Sequence, residues 1–362
     1  MSFGVYIHVP FCKLLCPYCD FVKRRFNPEH SRAFVDGLMA EIERFQGPST
    51  ATSVFFGGGT PSLLAFDELE RILGAVRARF TVEADGEISL EANPDDITPE
   101  AAQGWRELGV TRVSLGVQSF DDRALRYLGR VHDAARAREA CAIVRETFPD
   151  WGVDLIFGAH PTDGWRETVE ECVAWKPTHV STYGLTYEPR TPFAKRSHEA
   201  VGGDAYVELY EEAHAVLTDV FRHYEVSNYA RPGWESRHNL IYWHNGGYAG
   251  FGPGAYSYYA GIRSQNHRRL RDYLGDPGGK LEALRLTPEE IRLETVMQYL
   301  RLEEGLPFDV YAARFGRQLM DDFGAALRGL EARGLVTLAG GRAAPTLRGF
   351  DLNNEIGLAL MG

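Results

Sequence analysis

Residues 6–21 read Tyr-Ile-His-Val-Pro-Phe-Cys-Lys-Leu-Leu-Cys-Pro-Tyr-Cys-Asp-Phe. Three of the five cysteines in the 362-residue chain fall at Cys12, Cys16 and Cys19, spaced C-x₃-C-x₂-C. They follow an apolar run, Val5–Val9, that reads as a strand. A structural zinc site takes four ligands, and a catalytic one usually three with histidine or carboxylate mixed in. All-thiolate ligation by closely spaced cysteines suits an iron–sulfur cluster. Three thiolates hold three irons of a [4Fe-4S] cube and leave the fourth open to an outside ligand, which is a catalytic arrangement rather than an electron wire. The competing reading, three incidental thiols in a loop, is disfavoured by their tight spacing after a strand.

Outward from this loop the chain repeats a strand-then-helix rhythm. β-rich runs are predicted at Val5–Val9, Ser53–Phe56, Glu87–Glu91, Arg112–Val117, Val153–Phe157, His179–Tyr183 and Tyr224–Ser227. Between them, helical spacing predicts Ser31–Phe45, Asp67–Arg79, Pro99–Leu108, Ala134–Glu146, Trp165–Trp175 and Asp204–His223. Alternating units over more than 200 residues imply a parallel sheet covered by helices, either doubly wound or a barrel. Six or seven units fall short of a closed eightfold barrel, so a partial (β/α)6 barrel is expected. Gly57–Thr60, Asn93-Pro94 and Gln118 sit just after strands, where such sheets place their sites.

The rhythm breaks near Tyr229 into Gly-, Asn- and aromatic-rich sequence. A Gly/Pro-rich linker, Gly275–Gly279, then precedes Thr287–Leu300, Asp309–Phe315 and Asp321–Arg333, all of helical pattern, and a short hairpin pattern at Gly334–Leu338 and Arg342–Leu347. The expected organisation is a barrel over 1–228, an extension over 229–275 and a smaller winged-helix-like C-terminal domain over 280–362.

Composition narrows the function classes. A net charge of −11 leaves no basic excess to neutralise phosphates, so nucleic-acid binding is not expected. Five cysteines at this density suit a reducing cytoplasm rather than a secreted disulfide framework. No signal peptide is visible and no apolar run approaches the roughly 20 residues of a membrane span. A cytoplasmic protein is expected, meeting membranes only peripherally through partners.

The pattern carried by Cys12, Cys16, Tyr18 and Cys19 resembles that of the radical S-adenosylmethionine (SAM) superfamily. The resemblance implies that the methionine amino and carboxylate groups of SAM chelate the open iron, and that an electron from the cluster cleaves SAM to a 5′-deoxyadenosyl radical. Phe56-Gly-Gly-Gly-Thr-Pro-Ser62 follows the second strand; alone it would read as a tight strand–helix turn whose glycines permit close backbone approach. Likewise Glu91, Gln118, Arg130 and Asp154, each on or just beyond a strand, could singly be satisfied core groups. Together they resemble, in order and context, the SAM contacts of the coproporphyrinogen III oxidase-like branch. That resemblance implies Tyr6 near the cluster and sulfonium and Tyr18 against the adenine. It also implies Gly58, Gly59 and Thr60 at the methionyl group, with Glu91, Gln118, Arg130 and Asp154 on ribose and carboxylate.

The block His238-Asn-Leu-Ile-Tyr-Trp243 resembles the His-Asn-x-x-Tyr-Trp signature of the HemW group of heme chaperones within this branch, and the C-terminal piece resembles the branch's accessory domain. Oxygen-independent coproporphyrinogen III oxidases carry a further cysteine where this chain has Phe21, and a longer extension before the position of Tyr6. The resemblance therefore implies a protein that binds heme as cargo and hands it to heme-requiring apo-proteins of the respiratory chain, with an electron donor for the cluster and a homodimer as one assembly. Coproporphyrinogen decarboxylation, or a related methyl transfer using two SAM molecules, is the alternative. His238 is the candidate axial ligand, neutral imidazole being a common one, and Tyr242 and Trp243 offer faces to a porphyrin. The plainer reading is that these three pack the base of the barrel. His8 is expected to support the cluster loop, and Cys141 and Cys172 to be core thiols on helices. Gly158–Asp163 reads Gly-Ala-His-Pro-Thr-Asp where the branch usually has Gly-Leu-Pro-Gly-Gln-Thr, which leaves His160 as a departure.

Overall fold

The computed structural model describes residues 2–362. Six parallel strands lie side by side in chain order: β1 (Phe3–Val9), β2 (Thr50–Gly58), β3 (Thr81–Ala92), β4 (Arg112–Gln118), β5 (Asp150–Phe157) and β6 (His179–Gly184). Each is joined to the next by helix outside the sheet: α1 (Pro28–Arg44), α2 (Phe66–Arg79), α3 (Pro99–Glu107), then α4 (Asp122–Leu128) with α5 (Ala134–Thr147), and α6 (Trp165–Trp175). β1 reads Phe-Gly-Val-Tyr-Ile-His-Val and is buried at nearly every position, as a strand covered on both faces must be. Asn27, Thr98 and Asp133 accept backbone N–H groups at the starts of α1, α3 and α5, each an orphan donor otherwise unpaired. The architecture is the partial barrel the rhythm predicts.

Two predicted elements differ. Tyr224–Ser227 is not a seventh parallel strand: α7 (Gly203–Leu217) ends at Leu217, and β7 (Arg222–Glu225) turns directly into β8 (Asn228–Ala230), which pairs antiparallel with both β6 and β7. Two residues between strands cannot make a parallel crossover, so the edge is antiparallel. His223, predicted as the end of the preceding helix, is a buried residue of β7.

The stretch after Tyr229, where the rhythm breaks, is built of helix and further strands. α8 (Arg237–Trp243) packs on β1 and β2, and β9 (Gly247–Phe251) pairs parallel with β1 on the side away from β2. β10 (Tyr256–Tyr259), β11 (Ile262–Asn266) and β12 (Lys280–Arg285) continue antiparallel, with α9 (Leu270–Gly275) between the last two. The sheet thus has 12 strands among the described residues.

A second apolar core gathers Val296, Leu300, Tyr311, Leu327, Leu330 and Val336. It lies among α10 (Pro288–Tyr299), α11 (Phe308–Phe315), α12 (Leu319–Ala332) and a small sheet of β13 (Leu306–Pro307), β14 (Val336–Ala339) and β15 (Arg342–Pro345). Helices followed by a hairpin give the winged-helix-like shape expected. Two helices that the sequence did not reveal, α13 (Leu347–Asp351) and α14 (Asn353–Met361), close this core. Among the described residues no helix is long and apolar enough to cross a membrane.

Candidate functional site

The cysteine loop leaves β1 at the strand's C-terminal end and is closed by a short parallel pairing of Phe11–Cys12 with Arg24–Arg25. Arg24 N donates to Pro10 O (2.7 Å) and Phe26 N to Cys12 O (2.9 Å), so both stems of the loop are tied. Phe11 is fully buried, edge-on to Phe26 and Phe34 at 6.0 and 5.5 Å. Lys13 pairs with Asp96 across the loop's outer side. His8 secures the far stem: its Nε2 lies 2.7 Å from Val22 O, and its Nδ1 lies 3.1 Å from Tyr6 Oη. A carbonyl only accepts, so Nε2 carries the proton and Tyr6 donates to Nδ1. His8 therefore supports the loop, the role expected for it.

The loop forms one wall of a cavity of about 580 Å³ at the C-terminal ends of the strands. Cys12, Cys16 and Cys19 line it together with Tyr18, Gly58–Thr60, Glu91, Gln118, Arg130 and Asp154. Residues more than 140 positions apart in sequence are brought to one space because parallel strands all end on the same side. Gly58 has φ +110, and its N–H donates to Glu91 Oε2 at 3.1 Å; a Cβ there would lie 2.6 Å from the His8 ring. Gln118 also adopts a left-handed φ (+70) where the β4–β5 register shifts, a strained conformation for a residue with a side chain. Arg130 crosses the cavity wall with one guanidinium nitrogen 3.4 Å from Cys16 Sγ and the other donating to Asn93 Oδ1 (2.6 Å) and Gly116 O (3.0 Å). Ser114 Oγ donates to Asp154, 3.1 Å from each carboxylate oxygen.

Burial dominates the electrostatics. The Cys12 thiol is pushed up to about 11. Glu91 is pushed up to about 8, by burial first and then by the neighbouring Asp154, and burial raises Asp154 as well. Among the described residues no three His, Cys, Asp or Glu groups converge closely enough to share a single metal ion. The residues present fit a cluster and SAM by donor chemistry: three thiols on one wall, carboxylates able to accept ribose hydroxyls, and the half-buried Arg130 guanidinium suited to a carboxylate.

Tyr6 departs from this set. Its ring lies next to Gly57, which also abuts Glu91, but it lines a second cavity, also of about 580 Å³, that meets the first at Asp20 and Phe21. Tyr242 and Trp243 line this second cavity; His238 does not. His238 is enclosed beneath it, with Nδ1 2.8 Å from Ser53 Oγ, Nε2 2.7 Å from Tyr242 Oη and its ring stacked on Phe55 at 5.1 Å. Both nitrogens are engaged inside the protein, and burial holds the ring neutral with its pKa lowered to about 3. His238, the candidate axial ligand, is thus placed inside the protein beside the cavity rather than on its wall, and in this arrangement it fixes the hydroxyl of Tyr242. His160 has a local role, its Nε2 2.6 Å from Glu199 O and its ring edge-on to Tyr127, so it ties the Gly158–Asp163 loop to the segment ending at Glu199. Cys141 and Cys172 are buried on α5 and α6.

Ser114 and Tyr183, both at the first cavity, were not singled out by sequence. Strand alternation is the signal that finds them: Ser114 is in phase with Gly116 and Gln118 on β4, and Tyr183 is the inward residue near the end of β6.

A model of the radical SAM superfamily matches residues 6–172, and a model of the HemN C-terminal domain matches residues 286–352. The heme chaperone HemW of a Synechocystis species is 38% identical over 84% of this chain and 79% of its own length. The heme chaperone HemW of Mycobacterium tuberculosis is 36% identical over 99% of this chain and 95% of its own; that of Lactococcus lactis is 31% identical over 98% and 96%. The solved structure of coproporphyrinogen III oxidase (HemN) from Escherichia coli, described as a radical SAM enzyme, superposes with TM-score 0.86 at 23% identity, covering 99% of this chain and 90% of that one, and shows the same fold. With the cysteine loop, the barrel and the C-terminal domain all matched, the chain belongs to the HemW family of the radical SAM superfamily.

Proposed function

We propose that this chain is a heme chaperone built on a radical SAM scaffold. It holds a [4Fe-4S] cluster on Cys12, Cys16 and Cys19 with SAM beside it in the first cavity, and takes heme as cargo in the second. The observation that carries the reading is the pair of adjoining cavities: one lined by three thiols and the SAM-type polar set, the other by Tyr242 and Trp243 of the His238–Trp243 block. The names of the relatives, heme chaperones aligned over nearly the full chain, support the cargo. When bound, the cluster supplies an open iron for chelation and one-electron chemistry. The chain's own work is to bind and orient. Gly58 and Gly59 let backbone approach the methionyl group, Glu91 and Asp154 face ribose hydroxyls, and the Arg130 guanidinium faces a carboxylate. Phe21 stands exposed where the two cavities meet and offers no fourth thiolate. The recipients are heme-requiring apo-proteins, and an electron donor serves the cluster.

The test is anaerobic reconstitution followed by transfer. About four irons per chain are expected for the cube. SAM should alter the electron paramagnetic resonance spectrum of the reduced cluster. Heme loaded on the chain should pass to an apo-hemoprotein, followed by the shift of the Soret band. Conversion of coproporphyrinogen with stoichiometric 5′-deoxyadenosine would overturn the reading, as would a chain that holds zinc or no heme.

A further inference from the structure

The second cavity runs against the character of the chain. The protein carries a net charge of −11, yet this cavity is lined by three guanidinium groups, Arg190, Arg263 and Arg268, and by one carboxylate, Asp20. Two of the cations are held. Arg190 Nη2 donates to Asp20 Oδ2 at 2.6 Å, and Arg263 forms a two-pronged pair with Glu294 at 2.8 and 2.5 Å. Arg268 is half-buried and pairs with no carboxylate among the described residues. A guanidinium on a cavity wall with no carboxylate partner is open to meet an anion there. The remaining walls are aromatic, with Tyr242, Trp243, Tyr248 and Tyr256 among them.

We infer that Arg268, assisted by Arg190, is the carboxylate-recognition element of the cargo site, holding the propionates of a heme whose macrocycle lies against Tyr242 and Trp243. The inference rests on the heme reading above and adds the residues that select an acidic tetrapyrrole. A planar guanidinium matches a carboxylate in two parallel hydrogen bonds, and flat aromatic faces match the macrocycle. Arg268 lies close enough to His8 for its charge to oppose protonation of that ring. Because His8 grips the cysteine loop through Val22 O, the propionate edge of the cargo is turned toward that loop. Arg190 would then exchange Asp20, itself a loop residue, for a propionate.

The test titrates the full chain with hemin and with hemin dimethyl ester, whose carboxylates are masked, following Soret absorbance. Hemin should bind the unaltered chain at least tenfold more tightly than the ester. Arg268→Ala should remove most of that preference, weakening hemin about tenfold or more and leaving the ester unchanged, the loss of a charge-assisted contact to one propionate. Arg268→Lys should weaken hemin less than alanine does. Arg271→Ala, an exposed site paired with its neighbour Asp272, should bind as the unaltered chain does. Equal binding of hemin and ester, or hemin affinity untouched in both Arg268→Ala and Arg190→Ala, would overturn this inference while leaving the chaperone reading intact. Failure of the unaltered chain to bind hemin at all would overturn both.

Discussion

Replacing Glu91 by glutamine should change how stability depends on pH more than it changes stability itself. Glu91 is half-buried at the barrel mouth, beside Asp154, with only the Gly58 N–H favouring its charged form. Its pKa is about 8 in the folded chain against an ordinary 4.5, so folding takes up a proton at neutral pH. A carboxyl raised on folding adds stability that is fully present below its unfolded pKa and is lost as pH rises through its folded pKa. At about 1.4 kcal/mol per unit, the rise from 4.5 to about 8 sets a ceiling of about 5 kcal/mol on that loss. Glutamine retains the shape and cannot ionise. Urea unfolding of both proteins, followed by tryptophan fluorescence at intervals from pH 5 to pH 9, isolates the term as the difference between two profiles, since the other titrating groups are common to both. The variant should gain on the wild type steadily between about pH 5 and 8, by roughly 2 kcal/mol or more in total. Profiles that stay parallel within about 0.5 kcal/mol would refute the claim that Glu91 is held protonated.

Three further outcomes follow from the geometry. Alanine at any one of Cys12, Cys16 or Cys19 should reduce iron in reconstituted protein from about four per chain to less than one, whereas Cys141→Ala, on α5, should retain it; an unchanged iron count in the Cys16 variant would be fatal to the assignment. Gly58→Ala forces a side chain into φ +110 and against the His8 ring, and should cost roughly 2–4 kcal/mol in denaturant unfolding; an unmoved midpoint would contradict the packing. Asp150→Ala strands the buried Arg112, whose Nη1 lies 2.6 Å from Asp150 Oδ1, and should destabilise by about 3 kcal/mol or more, with Asp150→Asn losing less by the same measurement.

Much of the site was legible because its two signals are local. Spacing within the cysteine loop reports a donor set directly, and period-two alternation marks which residues of a parallel strand point inward. Tyr6, Glu91 and Asp154 share that phase, as does Ser114, which the same rule would have supplied. The facing of His238 was not legible, because adjacency to Tyr242 and Trp243 in sequence says nothing of which way each points. On α8 the three are one helix face and its neighbour, and only packing against β1 and β2 turns the imidazole inward onto Ser53. That Tyr224–Ser227 ends one strand and turns into an antiparallel partner was hidden for a similar reason: propensity fixes extension, while the partner strand fixes direction.

By itself the sequence determined the alternating β/α order, the position of the thiol loop after β1, and the placement of polar residues at strand ends, because each depends on neighbours within a few positions. Tertiary structure decided that β9 seats beside β1 and extends the sheet, that Tyr6 stands at the boundary of two cavities rather than inside the first, and that Arg190 and Arg268 meet around one aromatic space. Those outcomes depend on contacts between residues scores of positions apart, whose register and facing are set by burial of the whole sheet rather than by any local preference.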